Sequence, residues 1–161
     1  MEVLRVDPRQ LGLFLLKSND AGYAGGDEKK WIREDDGSLT IVFEDERWKS
    51  HDNFFGGEPY GGRTVVFHNG RPVWLLVYYG WVADESQPDR LYAVLRNALK
   101  EMPEAAPYRG PERYEEGQFT YINRWEGELG RFTGREEIHE TSTLAYQAEY
   151  AGGWVDKRQG V

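Results

Sequence analysis

The sequence predicts an α+β domain in which one unit, a helix followed by antiparallel strands, occurs twice. The first observation behind this prediction is a repeated aromatic motif. Arg47-Trp48 returns as Arg124-Trp125, and Phe55 returns as Phe132, both at the same offset (124 − 47 = 132 − 55 = 77). A fixed offset between similar motifs indicates an internal repeat, and a repeat determines the architecture of a chain.

The second observation is a later echo with a different spacing. The segment 74–80 returns as 146–152, at a smaller offset (146 − 74 = 72). Each segment is predicted to be the returning strand of a hairpin, and the first hairpin turns at Asn69-Gly70, the strongest short hairpin signal. Because the two offsets differ by five (77 − 72 = 5), we expect the second hairpin to be five residues shorter than the first.

The third observation is a segment of helical periodicity at the start of each half. The first segment begins at Pro8, with Asp7 as its N-cap, and is expected to end near Asn19-Asp20. The second runs from about Pro88 to Glu101, because its apolar residues recur at helical spacing. Those residues are Leu91, Val94, Leu95, Ala98 and Leu99.

These elements are expected to form a single domain over residues 1–161, with a first repeat at 7–83 and a second at 84–155. Long strands are predicted at 39–48 and at 118–125. The two repeats are expected to pack with pseudo-twofold symmetry, because a small sheet must bury its apolar face against a partner layer. One continuous antiparallel sheet with both helices on one face meets the same requirement, and the sequence does not separate the two arrangements.

Composition excludes several kinds of site. The chain has no cysteine, so disulfides, thiolate nucleophiles and Cys-ligated zinc are excluded. The three histidines, His51, His68 and His139, lack metal-ligand spacing, so we expect no metal site. Neither a phosphate-binding loop nor a dinucleotide fingerprint is present in a suitable context, so we expect no cofactor.

Charge and hydropathy exclude two classes of partner. The chain carries 28 acidic and 20 basic residues, a net charge of −8, whereas nucleic-acid binding depends on a basic surface. We therefore expect no direct contact with nucleic acid. No apolar run is long enough to span a bilayer, and the N-terminus does not have the pattern of a signal peptide. We expect a cytoplasmic protein that does not contact a membrane.

Candidate ligand-binding residues are the arginines and aromatics expected where the repeats meet. Arginine holds a carboxylate or phosphate through two hydrogen bonds, and Trp and Tyr combine apolar area with a polar group. Neighbouring residues on a strand point to opposite faces, so Arg47 and Arg124 are solvated if the adjacent tryptophans face the core. The candidates are Tyr23, Arg47, Trp48, Tyr108, Arg109, Arg124 and Trp125.

The runs 107–121 and 130–138, together with the closing Tyr150-Ala151-Gly152-Gly153, resemble the signature of an uncharacterised bacterial family. That family carries a domain of unknown function, found alone or fused behind an Xre-type helix-turn-helix. The resemblance implies an effector-sensing or protein-contact role and supplies no catalytic residues. The present sequence differs in two respects: it has no helix-turn-helix pattern, and Ala151 stands where the resemblance implies a histidine.

Three hypotheses of function follow, in order of preference. The first is a module that binds or senses a small ligand in a cleft between the repeats. The second is a protein–protein interaction domain that forms a homodimer through an edge strand, without a ligand. The third is an enzyme that uses Glu58, Glu136 and His139, which requires carboxylates from both repeats to share one cavity.

Overall fold

The computed structural model describes residues 6–24, 31–83 and 87–157, and within them the chain forms two helices and nine strands. In chain order they are α1 (Pro8–Ala24), β1 (Trp31–Arg33), β2 (Leu39–Asp45), β3 (Trp48–Phe55), β4 (Tyr60–His68), β5 (Arg71–Val82), α2 (Pro88–Leu99), β6 (Arg113–Glu116), β7 (Phe119–Glu128), β8 (Arg131–Glu140) and β9 (Thr143–Trp154).

All nine strands belong to one antiparallel sheet with the order β1-β2-β3-β4-β5-β9-β8-β7-β6. The strands of the first half run outward from β5 in one direction, and those of the second half run outward from β9 in the other. The two halves meet where β5 pairs with β9. Of the two arrangements that the sequence left open, the continuous sheet is the one observed.

Both helices cover the same face of this sheet. Tyr146, Ala148 and Tyr150 alternate along β9, so their side chains point to one side. The buried residues of α2 pack with Tyr146 and Ala148, and those of α1 pack with Tyr150. We call this side the inner face. The opposite outer face is open to solvent, and Val77 and Tyr79 on it are 43% and 54% exposed.

The helices agree with the prediction in type and differ at their ends. Asp7 Oδ1 accepts a hydrogen bond from the backbone N–H of Arg9 (2.9 Å), which caps α1 as expected. The helix continues past the predicted end near Asn19 and ends at Ala24. The Asn19 side chain instead donates to the carbonyl oxygen of Leu99 (2.9 Å) and ties α1 to the end of α2.

The long strand predicted at 39–48 is in fact two strands, β2 and β3, joined by a tight turn. Glu46 adopts a left-handed conformation there, with φ 54°. Arg47 therefore lies in an exposed turn, and Trp48 opens the next strand instead of closing the previous one. Sequence alternation continued across this turn, which is why the break was missed.

The two central hairpins share one register. Tyr60 pairs with Gly80 between β4 and β5, and Phe132 pairs with Gly152 between β8 and β9. Each residue of the second pair lies 72 positions after its counterpart in the first pair (132 − 60 = 152 − 80 = 72). The expectation that the second hairpin is five residues shorter is therefore wrong. Both hairpins turn through two residues, Asn69-Gly70 in the first and Thr141-Ser142 in the second.

Residues related by the larger sequence offset, 77, do not occupy equivalent places in the two halves of the sheet. Phe54 on β3 pairs with Gly62, and Trp125 on β7 pairs with Gly134. By register, Trp125 thus occupies the place of Phe54, and the match of Arg47-Trp48 to Arg124-Trp125 is a coincidence of sequence. The physical reason is the unpredicted turn before Trp48, which places that residue at the opposite end of its strand.

Candidate functional site: a cavity between the helices and the sheet

A cavity of about 700 Å³ lies between the inner face of the sheet and the two helices. Small-molecule sites in proteins commonly measure about 300–1,000 Å³. The walls are largely apolar and aromatic, and both halves of the chain contribute to them. Lining residues include Leu15 of α1, Ile41, Phe43, Tyr60, Trp74, Leu76 and Tyr78 of the sheet, Tyr92 and Leu95 of α2, and Tyr108 and Arg109 of the segment that follows α2.

The alternation of side chains along the strands brings together the polar residues at the floor of this cavity. Asp52 on β3 pairs with Thr64 on β4, and Thr64 pairs with Leu76 on β5. Tyr78 follows two residues after Leu76 and therefore points to the same inner face. Three adjacent strands thus place Asp52, Thr64 and Tyr78 side by side.

The Asp52 carboxylate is hydrogen-bonded through only one of its oxygens. Asp52 Oδ1 accepts hydrogen bonds from the Tyr78 hydroxyl (2.6 Å) and the Thr64 hydroxyl (3.2 Å). Oδ2 has no hydrogen-bond partner, and Asp52 forms no ion pair, in the described part of the chain. Burial raises the pKa of Asp52, while the two hydroxyls and the nearby Arg109 and His51 act in the lowering direction. The net shift is upward, because desolvation of the carboxylate is the largest effect.

Arg109 is committed to a second carboxylate, that of Glu136. Arg109 Nη2 lies 2.7 Å and Nε 2.8 Å from Glu136 Oε1, and the two side chains are 11% and 0% exposed. The Tyr121 hydroxyl donates to the other oxygen of Glu136. Burial is the largest single effect on the pKa of Arg109 and acts to lower it, but Glu136 together with Tyr60, Tyr146 and Tyr121 outweighs burial, so the pKa is raised and the guanidinium stays charged. The buried pair is electrically neutral.

One nitrogen of Arg109 remains available to the cavity. Nη2 also donates to the Tyr60 hydroxyl (3.3 Å), and the guanidinium lies over the Tyr78 ring, with Cζ 5.3 Å from the centroid. Within the described residues, Nη1 has no hydrogen-bond partner. The cavity therefore presents an open acceptor, Asp52 Oδ2, and an open donor, Arg109 Nη1, and the Arg96 side chain of α2 also lines it.

Tyrosine hydroxyls contribute to the polar lining, together with Ser18, Asn19, Ser50 and Arg96. Tyr60 and Tyr146 share a hydrogen bond between their hydroxyls, and the Tyr92 hydroxyl donates to Glu58. Burial raises the pKa of Tyr60, Tyr92 and Tyr146. These groups consequently remain neutral hydroxyls at physiological pH and act as hydrogen-bonding groups.

Two of the predicted site residues line the cavity. Tyr108 and Arg109 are brought there by the segment between α2 and β6. Tyr108 is held by stacking on Phe132, with ring centroids 4.1 Å apart and an interplanar angle of 4°. Trp125 packs edge-on against Tyr108 at 6.3 Å and supports it from behind.

Three other candidates lie away from the cavity, and the Tyr23 side chain lies outside the described residues. Arg47 is exposed in the turn before β3, and Arg124 is exposed on the outer face. Trp48 stacks on Phe14 of α1, with centroids 5.5 Å apart, and helps to bury that helix. These three residues therefore do not line the cavity with Tyr108 and Arg109.

The three residues of the enzyme hypothesis do not converge. Glu58 accepts from the Val82 backbone N–H (2.9 Å) and from the Tyr92 hydroxyl, which fastens α2 to the end of β5. Glu136 is paired with Arg109. His139 Nε2 lies 3.0 Å from Glu137 Oε2. Since Glu136 and Glu137 are neighbours on β8, they point to opposite faces, and His139 lies with the outer one.

The sequence reasoning missed Asp52, Thr64, Tyr60 and Tyr78. A usable signal was present in β3, where Ser50, Asp52 and Phe54 alternate as inward positions. An aspartate at an inward position of a strand is rare, because burial of an unpaired carboxylate is costly. That signal becomes visible only once the strand is known to begin at Trp48.

In the described part of the chain, no group of three or more His, Asp or Glu side chains is arranged to hold a metal ion. None of the helices described above is both long and apolar enough to cross a membrane.

The family model for a domain of unknown function, DUF5680, matches residues 52–155, which is more than half of the chain. The chain belongs to the DUF5680 family. The DUF5680 match begins at Asp52 and includes Tyr60, Arg109 and Glu136, whereas α1, β1 and β2 precede it. Comparison with curated proteins gave no match, and comparison with solved structures gave none.

Proposed function

We propose that this DUF5680 domain is a ligand-binding or sensing module whose small-molecule ligand occupies the cavity between the helices and the sheet. One observation carries the proposal: a cavity of about 700 Å³ with aromatic walls presents two polar atoms that lack a hydrogen-bond partner in the described part of the chain, Asp52 Oδ2 and Arg109 Nη1. Ligand sites combine apolar walls with a few convergent polar groups in this manner. An open carboxylate oxygen in an apolar cavity does not stabilise the fold, because it has no hydrogen-bond partner there.

We also propose that the two halves, 7–83 and 84–155, are copies of one unit. The common hairpin register supports this, and so does a bulge that follows Val66 in one half and Ile138 in the other, at the same displacement as the paired strands (138 − 66 = 72). Each half begins with a helix, and both helices bury residues at positions i, i+3 and i+4. They are Leu11, Phe14 and Leu15 in α1 and Leu91, Val94 and Leu95 in α2.

This duplication accounts for the position of the cavity in one half only. Ser50 pairs with Val66, and Tyr121 pairs with Ile138, so Tyr121 is the counterpart of Ser50. Tyr121 is fully buried and fills its side of the inner face. The small Ser50 side chain leaves the corresponding volume in the first half unfilled, and it lines the cavity.

The resemblance to bacterial domains fused behind an Xre-type helix-turn-helix agrees with a sensing role. A module that binds a small effector can regulate a DNA-binding domain fused to it. Effector binding shifts the conformational population of the module towards the state that binds the effector more tightly. Such a role places the protein in the cytoplasm. The bacterial origin, the fusion and the cytoplasmic location are parts of this proposal.

The alternative function, homodimerisation through an edge strand, has weaker support. The edge strands are β1, with three residues, and β6, with four. Three of the four residues of β6, namely Arg113, Glu115 and Glu116, are charged. A short, charged edge such as β6 is the usual protection against strand pairing between molecules, whereas β1 is short but exposes Trp31 and Ile32.

A thermal-shift screen of the full chain against a metabolite library tests the proposed function. A ligand present at about 100 times its Kd adds about 2.7 kcal/mol of stability, which raises the Tm of a chain this size by roughly 5–10 °C. Two variants obstruct the cavity: Gly57→Trp, where an added Cβ meets no atom within 4 Å, and Leu76→Phe. The control is Leu13→Trp on the exposed side of α1, where Leu13 is 62% exposed.

We expect hits that shift the unmodified chain and Leu13→Trp equally and that lose their effect in both obstructed variants. A library without hits would overturn the proposed function. So would hits whose shifts persist unchanged in both Gly57→Trp and Leu76→Phe.

A further inference from the structure

We infer that the ligand is an organic cation, an amine with an aromatic or apolar body, whose ammonium group pairs with the Asp52 carboxylate. This inference rests on the proposed function and specifies the chemical class of the ligand. It depends on three features of the cavity: a carboxylate without an ion-pair partner, an open carboxylate oxygen and aromatic walls.

The charged side chains that line the cavity are Asp52, Arg96 and Arg109. The guanidinium of Arg109 is neutralised by Glu136 at 2.7 Å, and Arg96 is exposed on α2 and forms no ion pair with Asp52. The hydrogen bonds that Asp52 receives come from two neutral hydroxyls, those of Tyr78 and Thr64. A half-buried carboxylate without an ion-pair partner is unfavourable. An ammonium group entering the cavity supplies that partner.

The geometry leaves the correct atom free for this pairing. Tyr78 and Thr64 both bind Oδ1, which fixes the orientation of the Asp52 carboxylate and leaves Oδ2 for the ligand. A charge-assisted N⁺–H···O⁻ bond is about twice as strong as a neutral hydrogen bond. Arg109 Nη1 is a second fixed point, and it requires an acceptor, such as a carbonyl or hydroxyl oxygen, on the ligand.

The aromatic walls suit the same class of ligand. Rings of Trp31, Tyr60, Tyr92 and Tyr108 line the cavity, and a cation is attracted to the face of such rings. One cation is already held in this way, since Arg109 lies over the ring of Tyr78 at 5.3 Å. The net charge of −8 over the whole chain adds a long-range attraction for cations.

The pH dependence of binding follows from the groups that face Asp52. These are Arg109, Tyr78 and Thr64, with His51 as its neighbour on β3, and Arg96 of α2 lines the same cavity. Only the ionised carboxylate pairs with an ammonium group, and burial raises the pKa of Asp52. Affinity for an amine therefore decreases as the pH falls through that raised pKa, whereas affinity for an uncharged analogue does not.

Isothermal titration calorimetry with three indoles of nearly equal size tests the inference. The probes are tryptamine, which is a cation, tryptophol, which is neutral, and indole-3-acetate, which is an anion. We expect tryptamine to bind at least about tenfold more tightly than tryptophol, as one charge-assisted bond implies, and indole-3-acetate to bind most weakly. In Asp52→Asn the preference for tryptamine disappears while tryptophol binding remains. Asp35→Asn, an exposed site with the same change of charge, keeps the preference.

Failure of this inference is distinguishable from failure of the proposed function. Equal binding of tryptamine and tryptophol, preference for indole-3-acetate, or a preference that survives Asp52→Asn would overturn the cation class and leave the cavity as a binding site. Neutral or anionic compounds as the sole hits of the thermal-shift screen would do the same. An absence of binding by every probe and every library compound would overturn both.

Discussion

Tyr78 and Tyr150 face each other as register partners at the centre of the sheet, and their hydroxyls bind unlike acceptors. Tyr78 donates to the Asp52 carboxylate at 2.6 Å, and Tyr150 donates to the Asn123 amide oxygen at 2.7 Å. The two sites have the same geometry and differ in charge. The carboxylate occurs on the side where the cavity is open, and the amide occurs on the side that is filled.

Replacement of Asp52 by Asn is expected to stabilise the free protein at neutral pH. Burial raises the pKa of Asp52 above its ordinary value of 3.8, so the folded state holds this proton more tightly than the unfolded chain does. The stability from this carboxyl is therefore present at low pH and lost as pH rises through the raised pKa. We expect Asp52→Asn to have the higher Tm at pH 7 and the difference to shrink towards pH 3.8.

Differential scanning calorimetry over this pH range, with Asp35→Asn as the exposed control, checks the prediction. The control should differ little from the parent at any pH. A Tm of Asp52→Asn that lies below that of the parent at pH 7 contradicts the pKa assignment.

Loss of Glu136 is expected to be strongly destabilising. Removing one member of a buried ion pair leaves the other charge without a partner, which costs about 3–5 kcal/mol. Glu136 is fully buried, so Glu136→Ala leaves the Arg109 guanidinium and the Tyr121 hydroxyl without their acceptor. Urea denaturation measures the free energy of unfolding. The matched control is Glu115→Ala, since Glu115 and its partner Arg113 are each 62% exposed, and an exposed pair contributes about 1 kcal/mol or less.

Comparable losses in Glu136→Ala and Glu115→Ala would show that the Arg109–Glu136 pair is not a structural anchor. An Arg109→Met, Glu136→Met double variant adds a second test. Replacement of both charges by apolar side chains should cost less than Glu136→Ala alone, because no unpaired charge remains.

Gly134 is expected to tolerate no side chain. A Cβ atom at this position would lie 2.0 Å from Cζ of Tyr150, whose ring is buried and whose hydroxyl is held by Asn123. Gly134→Ala therefore forces Tyr150 to move, and overpacking of this kind costs about 1–3 kcal/mol. Gly57→Ala is the control, because a Cβ there meets no atom within 4 Å. Equal Tm values for the two variants would show that Tyr150 has room to shift.

The parts of the fold that the sequence predicted correctly are those with local causes. Asn69-Gly70 forms the predicted hairpin because both residues adopt positive φ, 51° and 76°, without penalty. The buried stripe of α2, from Leu91 to Leu99, follows directly from helical spacing. The errors come from the turn at Glu46-Arg47, which carries neither Gly nor Pro and so gave no signal of a break.

The candidate site was predictable only in part for the same reason. Arg109 was selected as an arginine expected where the repeats meet, and it does line the cavity. Asp52 was not selected, since its inward position depends on where β3 begins and on pairing with Thr64. Asp52 lacks an ion-pair partner because the charge of Arg109 is neutralised by Glu136, which is 27 residues away from Arg109 in sequence. This pairing depends on the fold and not on the local sequence.

Arg109 is in contact with both halves of the sheet at once. Its guanidinium binds Tyr60 of β4 on one side of the centre and Glu136 of β8 on the other, and the segment that carries it leads directly out of α2. In the proposed sensing module, a ligand that engages Nη1 would contact a residue that joins β4, β8 and the segment after α2. Such a contact would couple occupancy of the cavity to the position of α2.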